Sequence, residues 1–149
     1  MANADAVGQP GATFVMDVER GKIREFARAT GSRHPAYLED KQPIIPPTFL
    51  TTQLIWQGGE ADVMQLAEVD FERGLHAEQE YIFYGPPPRA GARLTFSSTI
   101  TDMYDKQGRR GGAMTFVVMV TEFRDEAGRL VAEARNTVVE TSPTAGAQP

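Results

Sequence analysis

The sequence contains no cysteine among its 149 residues. This absence excludes a disulfide framework, cysteine-ligated zinc, iron–sulfur clusters and thiol catalysis. Only two histidines are present, so a three-histidine zinc site is impossible, and we predict neither a metal nor any other cofactor. No apolar run approaches the roughly 20 residues of a membrane helix. Fifteen basic against 20 acidic residues give a formal charge of -5, which argues against a nucleic-acid partner because phosphate binding needs a clustered basic surface.

Several motifs of enzyme chemistry are also missing. The chain has no Gly-rich phosphate-binding loop leading into a helix and no Gly-x-Ser-x-Gly nucleophile elbow. Its first ten residues have neither a basic start nor an apolar stretch, so we predict no signal peptide and a cytoplasmic location. A chain of 149 residues fits one domain. We place this domain at residues 13–141, between flexible tails at 1–12 and 142–149 that are rich in small and polar residues.

Two segments in the first half of the domain have the pattern of helices. Glu19–Thr30 carries apolar residues at helical spacing between charged ones, and Gly31 follows it as a C-cap. Thr48–Trp56 follows Pro47, a residue suited to the first turn of a helix, and carries no charge. We therefore expect the first helix to be amphipathic and the second to be buried on most of its sides.

The second half of the domain has the pattern of β-strands. A mixed segment and three alternating segments are the predicted strands: Leu75–Tyr84, Ala92–Tyr104, Ala113–Arg124 and Leu130–Thr141. Tight turns join the last three, so these strands form an antiparallel meander. The economical packing wraps this curved sheet around the uncharged helix that precedes it. The pattern therefore predicts an α+β fold of the hot-dog type, a single antiparallel sheet around a central buried helix.

The two histidines are weak candidates for catalysis. His76 stands close to carboxylates such as Glu78, and a histidine in such a place can act as a general acid or base. A strand histidine that is hydrogen-bonded to a neighbour explains the same pattern. His34 precedes Pro35 in a loop, where turn chemistry explains it equally well.

The start of the uncharged helix is a candidate substrate-binding site. Free N–H groups at a helix N-terminus can stabilise negative charge that grows on a carbonyl oxygen. Pro47 has no N–H, so Thr48 and Phe49 would supply the donors. Together with Trp56 at the far end of the helix, these three are the predicted substrate-binding residues. The alternative is that Pro47 only starts the helix, and the sequence does not separate the two interpretations.

Four pieces of the chain resemble the N-terminal-type domain of MaoC-like dehydratases: Asp17–Gly31, Pro35–Tyr37, Pro46–Phe49 and Leu75–Gln79. The non-catalytic subunits of (3R)-hydroxyacyl dehydratases belong to the same group, and the similarity runs from about Thr13 to Thr141. The resemblance implies a hot-dog fold and action on acyl thioesters of coenzyme A or acyl carrier protein. It also implies that water is added across a 2-enoyl double bond or removed from a (3R)-hydroxyacyl group.

The chain departs from the family where the active members carry their catalytic pair. In those members a loop close to Gly-Asp-x-Asn-Pro-x-His-x-Asp supplies an aspartate and a histidine that hold one water. Laid on residues 31–39, the aspartate position is Ser32 and the histidine position is Tyr37, and neither is a useful base near neutral pH. His34 falls on the asparagine position. The resemblance thus implies that this chain lacks the pair and that a catalytic hot-dog subunit completes it.

Three hypotheses for the function remain open. In the leading one, the chain is the degenerate, acyl-tunnel subunit of a dehydratase or hydratase whose partner carries the catalytic pair. In the second, it is a self-sufficient homodimeric hydratase or acyl-CoA thioesterase that uses His76 with Glu78, or a carboxylate such as Glu60 or Asp62. In the third, it binds acyl thioesters without turning them over. An unpaired sheet edge makes a dimer expected, with an identical or a different partner.

Overall fold

A single antiparallel sheet of five strands is the framework of the protein. The computed structural model describes residues 2–57, 63–108 and 112–142. The strands are β1 (Pro10–Asp17), β2 (Gly74–Phe83), β3 (Arg93–Gln107), β4 (Ala113–Arg124) and β5 (Leu130–Thr141). Their order in the sheet is β1-β3-β4-β5-β2, so β1 and β2 are its edges. The helices are α1 (Arg20–Ala29), α2 (Pro35–Leu38), α3 (Val63–Leu66) and 3₁₀ helices at Ala4–Ala6, Phe49–Ile55 and Phe71–Arg73.

Strands β3, β4 and β5 form the predicted meander, and the bounds of β4 and β5 are those expected from the sequence. Alternate residues of the three strands face the core: Leu94, Phe96, Ser98, Ile100, Val117, Met119, Thr121, Phe123, Ala132 and Ala134. The two-residue period of the strands therefore places these side chains on one, buried face of the sheet. Two hydroxyls on this face satisfy each other, because Ser98 Oγ lies 2.8 Å from Thr121 Oγ1.

Helix α1 begins and ends within one residue of the predicted helix. Ile23 and Ala27 are its fully buried residues, which confirms the amphipathic pattern. Gly31 adopts φ +74°, and the N–H groups of Gly31 and Ser32 donate to the carbonyls of Arg28 and Ala27. This is a Schellman C-cap, a geometry that favours glycine at the left-handed position. The cap fixes where the loop that begins at Ser32 leaves the helix.

The uncharged segment Thr48–Trp56 forms a helix on the core face of the sheet, but it is a seven-residue 3₁₀ helix. Phe49, Leu50, Thr52 and Gln53 are buried, whereas Leu54 and Ile55 are 62% and 64% exposed. The expectation that this helix is buried on most sides was therefore wrong. A 3₁₀ helix has three residues per turn, so Thr51 and Leu54 lie above each other on its outer side. The sheet covers the helix from one side only.

The predicted N-terminal tail is part of the domain. Ala6 is buried, the N–H of Asn3 donates to the carbonyl of Ala67 at 2.7 Å, and that of Gly8 donates to Ile100 at 2.8 Å. A Cβ on Gly11 would lie 2.6 Å from a methyl of Val63, so glycine allows the close approach here. Backbone hydrogen bonds and close packing at small residues such as Ala6 and Gly11 therefore hold this segment against the domain. At the other end, residues 143–149 of the predicted C-terminal tail lie outside the described residues.

An ion-pair network ties the segment before β2 to the end of β5. Arg73 lies 2.8 Å from a carboxylate oxygen of Asp70 and 2.8 Å from one of Glu140, and it donates to the carbonyl of Thr141 at 2.7 Å. Glu140 is only 3% exposed, and a buried carboxylate needs such a partner. The network therefore fixes the register of β2 against β5 at the Gly74 end of the strand.

The acid stability of the protein is expected to depend on Asp70. The hydrogen bond from Arg73, followed by one from the N–H of Glu72, lowers the pKa of Asp70 below its ordinary value of 3.8. Its stabilising contribution is therefore complete above pH 3.8 and is lost as the pH falls through the lowered pKa of the folded state. We expect Asp70→Asn to reduce the loss of unfolding free energy on acidification, measured by urea titration at a series of pH values. Glu126→Gln, on an exposed turn, is the control and should leave the pH profile unchanged.

Candidate functional site

The loop that follows α1 contains Ser32 and Tyr37, the positions to which the resemblance in the sequence assigns the acid–base pair of active members. Ser32 Oγ accepts a long hydrogen bond, 3.4 Å, from the N–H of His34. Tyr37 lies on α2 and packs, partly buried, against the main hydrophobic core. Its ring is 5.4 Å from the ring of His34. The loop thus holds a hydroxyl and a phenol, and the imidazole lies at its outer surface.

His34 has a structural role at the start of α2. Its Nδ1 accepts a hydrogen bond from the N–H of Ala36 at 3.1 Å, and Pro35 occupies the first turn. This is an N-cap, in which the side chain satisfies a helix N–H that has no partner in the helix. In neutral His34 the proton therefore sits on Nε2, and Nδ1, the nitrogen that would accept a proton, is already engaged. Acting as a base would require His34 to release the helix cap.

The structure does not form the acid–base pair considered for His76 and Glu78. His76 lies exposed on the edge strand β2, at a bulge that separates it from Glu78. Its Nε2 is 3.1 Å from the backbone carbonyl of Glu78, and no carboxylate of the described residues bonds to its ring. Both side chains are exposed. Glu60 and Asp62, the other carboxylates considered, lie outside the described residues.

The predicted pair of hydrogen-bond donors was the N–H groups of Thr48 and Phe49. The turn at Pro46 and Pro47 changes which N–H groups at the start of the 3₁₀ helix are free. The N–H of Phe49 donates to the carbonyl of Pro46 at 3.0 Å, so it is not available to a ligand. The side chain of Phe49 is fully buried in the core. Within the described part of the chain, the N–H groups of Thr48 and Leu50 have no acceptor. Pro47 and Thr48 are exposed, so the first turn of this helix faces solvent.

Trp56 follows the 3₁₀ helix and packs, partly buried, against the core. Its indole Nε1 is buried without an acceptor among the described residues, and Thr52 Oγ1 is in the same position. Buried polar atoms without partners are few in folded proteins, and each asks for an explanation. Two polar groups in and directly after this short helix are therefore not satisfied by the described residues.

A crevice separates the 3₁₀ helix from strands β2, β4 and β5. Its cavity has a volume of about 50 Å³. The residues that line it, among those the structure describes, are all uncharged: Leu50, Thr51, Gln53, Leu54, Gln79, Tyr81, Met119, Thr121, Ala134 and Asn136. Two amide oxygens in this lining, Gln53 Oε1 and Asn136 Oδ1, are buried without a donor among the described residues. The crevice is therefore a small neutral site with two open hydrogen-bond acceptors.

Tyr81 links the helix to the edge strand at this crevice. Burial raises the pKa of its phenol above the ordinary value, and the hydrogen bond with the side chain of Thr51 lowers it by less. The phenol therefore stays protonated near neutral pH. Sequence reasoning did not find Tyr81, Gln53 or Asn136. A polar Gln53 inside an otherwise apolar or hydroxyl segment was the one signal available.

A larger cavity lies elsewhere and contains none of the predicted site residues. It has a volume of about 540 Å³ and is bounded by opposing charges, Asp17 and Glu19 against Arg20 and Lys41. Within the described part of the chain, no group of three or more His, Asp or Glu side chains is placed to hold a metal ion. No helix in the described ranges is long and apolar enough to cross a membrane.

An antiparallel sheet with a short helix on its core face and an uncharged crevice between them defines a hot-dog domain, and comparisons with known proteins agree. Residues 5–134 match the family described as FAS1-like, dehydratase domain region, and the chain belongs to this family. A UPF0336 protein of Streptomyces griseus is 38% identical over 96 residues, which are 59% of this chain and 63% of that protein. One of Streptomyces coelicolor is 35% identical over 104 residues, 64% and 69% of the two chains. The chain thus spans less than two thirds of the first of these relatives.

Several solved structures resemble this chain in fold, and dehydratases are among them. A chain of the truncated HadBC complex of Mycobacterium tuberculosis, described as a 3R-hydroxyacyl-ACP dehydratase, is 25% identical with a TM-score of 0.61, covering 87% of this chain and 95% of that one. In the ChsH1–ChsH2 complex of the same organism the identity is 17% and the TM-score 0.71, over 93% and 87%. A MaoC-like dehydratase of Rhodospirillum rubrum has 17% identity and a TM-score of 0.64, over 97% and 99%. These likenesses confirm the predicted α+β hot-dog fold and the resemblance to MaoC-like dehydratases.

Proposed function

We propose that this chain is the degenerate, acyl-tunnel subunit of a (3R)-hydroxyacyl-thioester dehydratase or (R)-specific enoyl-thioester hydratase, and that a second hot-dog subunit supplies the catalytic pair. The observation that carries the proposal is the loop after α1. Ser32 and Tyr37 stand at the acid and histidine positions of the active relatives, and the one imidazole in the loop, His34, caps α2 through Nδ1. Among the described residues, this loop offers no aspartate–histidine pair for proton transfer, although the chain belongs to a dehydratase-domain family.

The surface around the 3₁₀ helix supports a partner subunit. Leu54 and Ile55 project large apolar side chains into solvent, and six consecutive residues of the adjoining edge strand, 75–80, are exposed. An exposed apolar patch next to an unpaired sheet edge is typical of an interaction surface, since an edge strand offers N–H and C=O groups to another strand. A partner on this side would cover the outer face of the helix and close the crevice.

The charges of the edge strand disfavour those pairings of β2 with its own copy that are centred at residues 78 to 80. Glu78 and Glu80 lie on one face of β2, which contains no lysine or arginine. In a two-fold pairing of β2 with a copy of itself, a centre at residue 79 sets Glu78 opposite Glu80 twice. A centre at 78 or 80 sets one glutamate opposite its own copy. Like charges directly opposite are destabilising. Of these two glutamates Arg135 approaches Glu80, at 3.9 Å, while its closer ion pair is with Glu133 at 3.0 Å.

The substrate class is proposed as an acyl thioester of coenzyme A or acyl carrier protein. Its support is the family match together with two related structures, the HadBC complex, described as a 3R-hydroxyacyl-ACP dehydratase, and the ChsH1–ChsH2 complex. The test is crotonyl-CoA hydration by the purified chain, and by the chain co-expressed with hot-dog subunits that carry an intact aspartate–histidine loop. Turnover only in the presence of such a subunit supports the proposal. Turnover by the pure chain favours the homodimeric enzyme, and binding without product for every partner favours the binding module.

A further inference from the structure

The crevice beneath the 3₁₀ helix has two features of a ligand site. Gln53 is 7% exposed, and its Oε1 is buried without a donor among the described residues. Asn136 Oδ1, on the facing strand β5, is also buried without a donor among the described residues. Both residues line the crevice. A buried carbonyl oxygen without a donor is destabilising, so its retention by two residues in one crevice needs a reason.

The orientation of the Asn136 amide follows from its neighbours. Gln79 Nε2 donates to the backbone carbonyl of Arg135 at 3.2 Å, and that carbonyl can only accept. Gln79 therefore presents Oε1 to Asn136, whose Nδ2 donates to it at 3.2 Å. Turning the Asn136 amide over would bring two oxygens together. Asn136 thus keeps its carbonyl oxygen for another donor, and the antiparallel register that pairs Gln79 with Asn136 enforces this.

The size and charge of the crevice restrict the ligand group. A cavity of about 50 Å³ admits a hydroxyl or the edge of an amide, and it is too small for an acyl chain. Carbonyl oxygens repel anions, and no charged residue in the described ranges lines the cavity to compensate a buried ammonium. The group that fits is a neutral O–H or N–H donor.

We infer that Gln53 and Asn136 form a binding site for a neutral hydrogen-bond donor of the acyl thioester, which makes them specificity-determining residues. This inference rests on the proposed function. Acyl thioesters carry two such donors: the 3-hydroxyl of a (3R)-hydroxyacyl group and the amide N–H groups of the pantetheine arm. The site binds one of these two donors, and binding measurements with two thioesters show which one it is.

The variant Gln53→Met tests the inference, because methionine keeps the length of the side chain and removes the acceptor. In the isolated chain this variant should melt about 2–4 °C higher, since an unsatisfied buried oxygen is removed. In a complex whose partner subunit has a disabled catalytic pair, it should bind (3R)-hydroxybutyryl-CoA about 5- to 10-fold more weakly. Butyryl-CoA, which lacks the 3-hydroxyl, shows which donor is bound. If Gln53→Met leaves the affinity for butyryl-CoA unchanged, the donor is the 3-hydroxyl. If the variant weakens the binding of both thioesters equally, the donors are the pantetheine amides.

Asn136→Leu is the second variant and should weaken binding in the same direction. Gln65→Met is the matched control at an exposed position and should change neither melting nor affinity. A lower melting temperature for Gln53→Met shows a structural role for Gln53 and overturns the inference. So does unchanged affinity for both thioesters, which leaves the proposed function intact. If the wild-type complex binds neither thioester, the proposed function fails and the inference fails with it.

Discussion

Replacing Phe49 with alanine is expected to lower the free energy of unfolding by about 3–5 kcal/mol. Phe49 is fully buried, and its ring meets the ring of Phe26 of α1 edge-on, with centroids 5.6 Å apart. It belongs to the core cluster that joins the 3₁₀ helix, α1 and the sheet. Alanine leaves a cavity at the point where these three layers meet, so both the transfer energy and the packing contacts are lost.

Urea titration of the purified chain measures this loss. Leu54→Ala, in the same short helix, is the matched control: Leu54 is 62% exposed, so its truncation should change the unfolding free energy by about 0.5 kcal/mol or less. The same control should weaken assembly with a catalytic subunit, because Leu54 lies on the proposed partner surface. A small effect of Phe49→Ala would mean that the 3₁₀ helix is not packed against the core as the structure has it.

The sheet could be predicted closely because its signals are local. β4 and β5 have the predicted bounds since both are β-prone segments and a turn with Gly128 at φ +78° separates them. The bounds of β2 and β3 were less sharp. β3 continues to Gln107, three residues beyond the predicted end, because Asp105 and Lys106 are paired with β4 even though they resemble turn residues.

The errors in the helix and the tail have a common origin. The absence of charge in Thr48–Trp56 shows that the segment avoids water, but not that its own chain supplies the cover. Leu54 and Ile55 are exposed for this reason. The composition of residues 1–12 suggested a tail, although small residues such as Gly11 also permit close packing between backbone segments. In both cases the composition of a segment indicates what it can pack against. Whether the segment is buried depends on which other parts of the fold lie beside it.

The candidate site was only partly predictable, because its polar residues meet across the fold. Gln53 and Asn136 lie 83 positions apart in the sequence. The orientation of the Asn136 amide depends on its hydrogen bond to Gln79, the residue paired with it in the register of β2 and β5. A single sequence carries no signal for such a register. The loop after α1 is different: its departure from the family pattern is a contiguous feature, so Ser32 and Tyr37 can be recognised from the order of the residues alone.

Crotonyl-CoA hydration by the purified chain is expected to be at least about a thousandfold slower than hydration by the chain together with a catalytic hot-dog subunit. Positioned acid–base catalysis contributes about 10²–10⁴-fold for each proton transfer, and addition of water across the double bond needs both a base and an acid. Ser32 and Tyr37 carry a hydroxyl and a phenol, so they do not form the aspartate–histidine pair of the active members that the chain resembles. His34 holds the N-terminus of α2, and His76 lies exposed on the edge strand, away from the crevice.

Variants of both subunits locate the chemistry in one of them. Ser32→Ala and Tyr37→Phe in this chain should leave kcat of the complex within about twofold, whereas replacing the aspartate or histidine of the partner's loop should remove turnover. His76→Ala is the decisive comparison with the homodimeric alternative. If it abolishes hydration by the pure chain while the melting temperature stays unchanged, His76 is the catalytic group and the degenerate-subunit proposal fails. The degenerate-subunit proposal also fails if the pure chain hydrates crotonyl-CoA at a normal enzyme rate, because such a chain does not depend on a partner's acid–base pair.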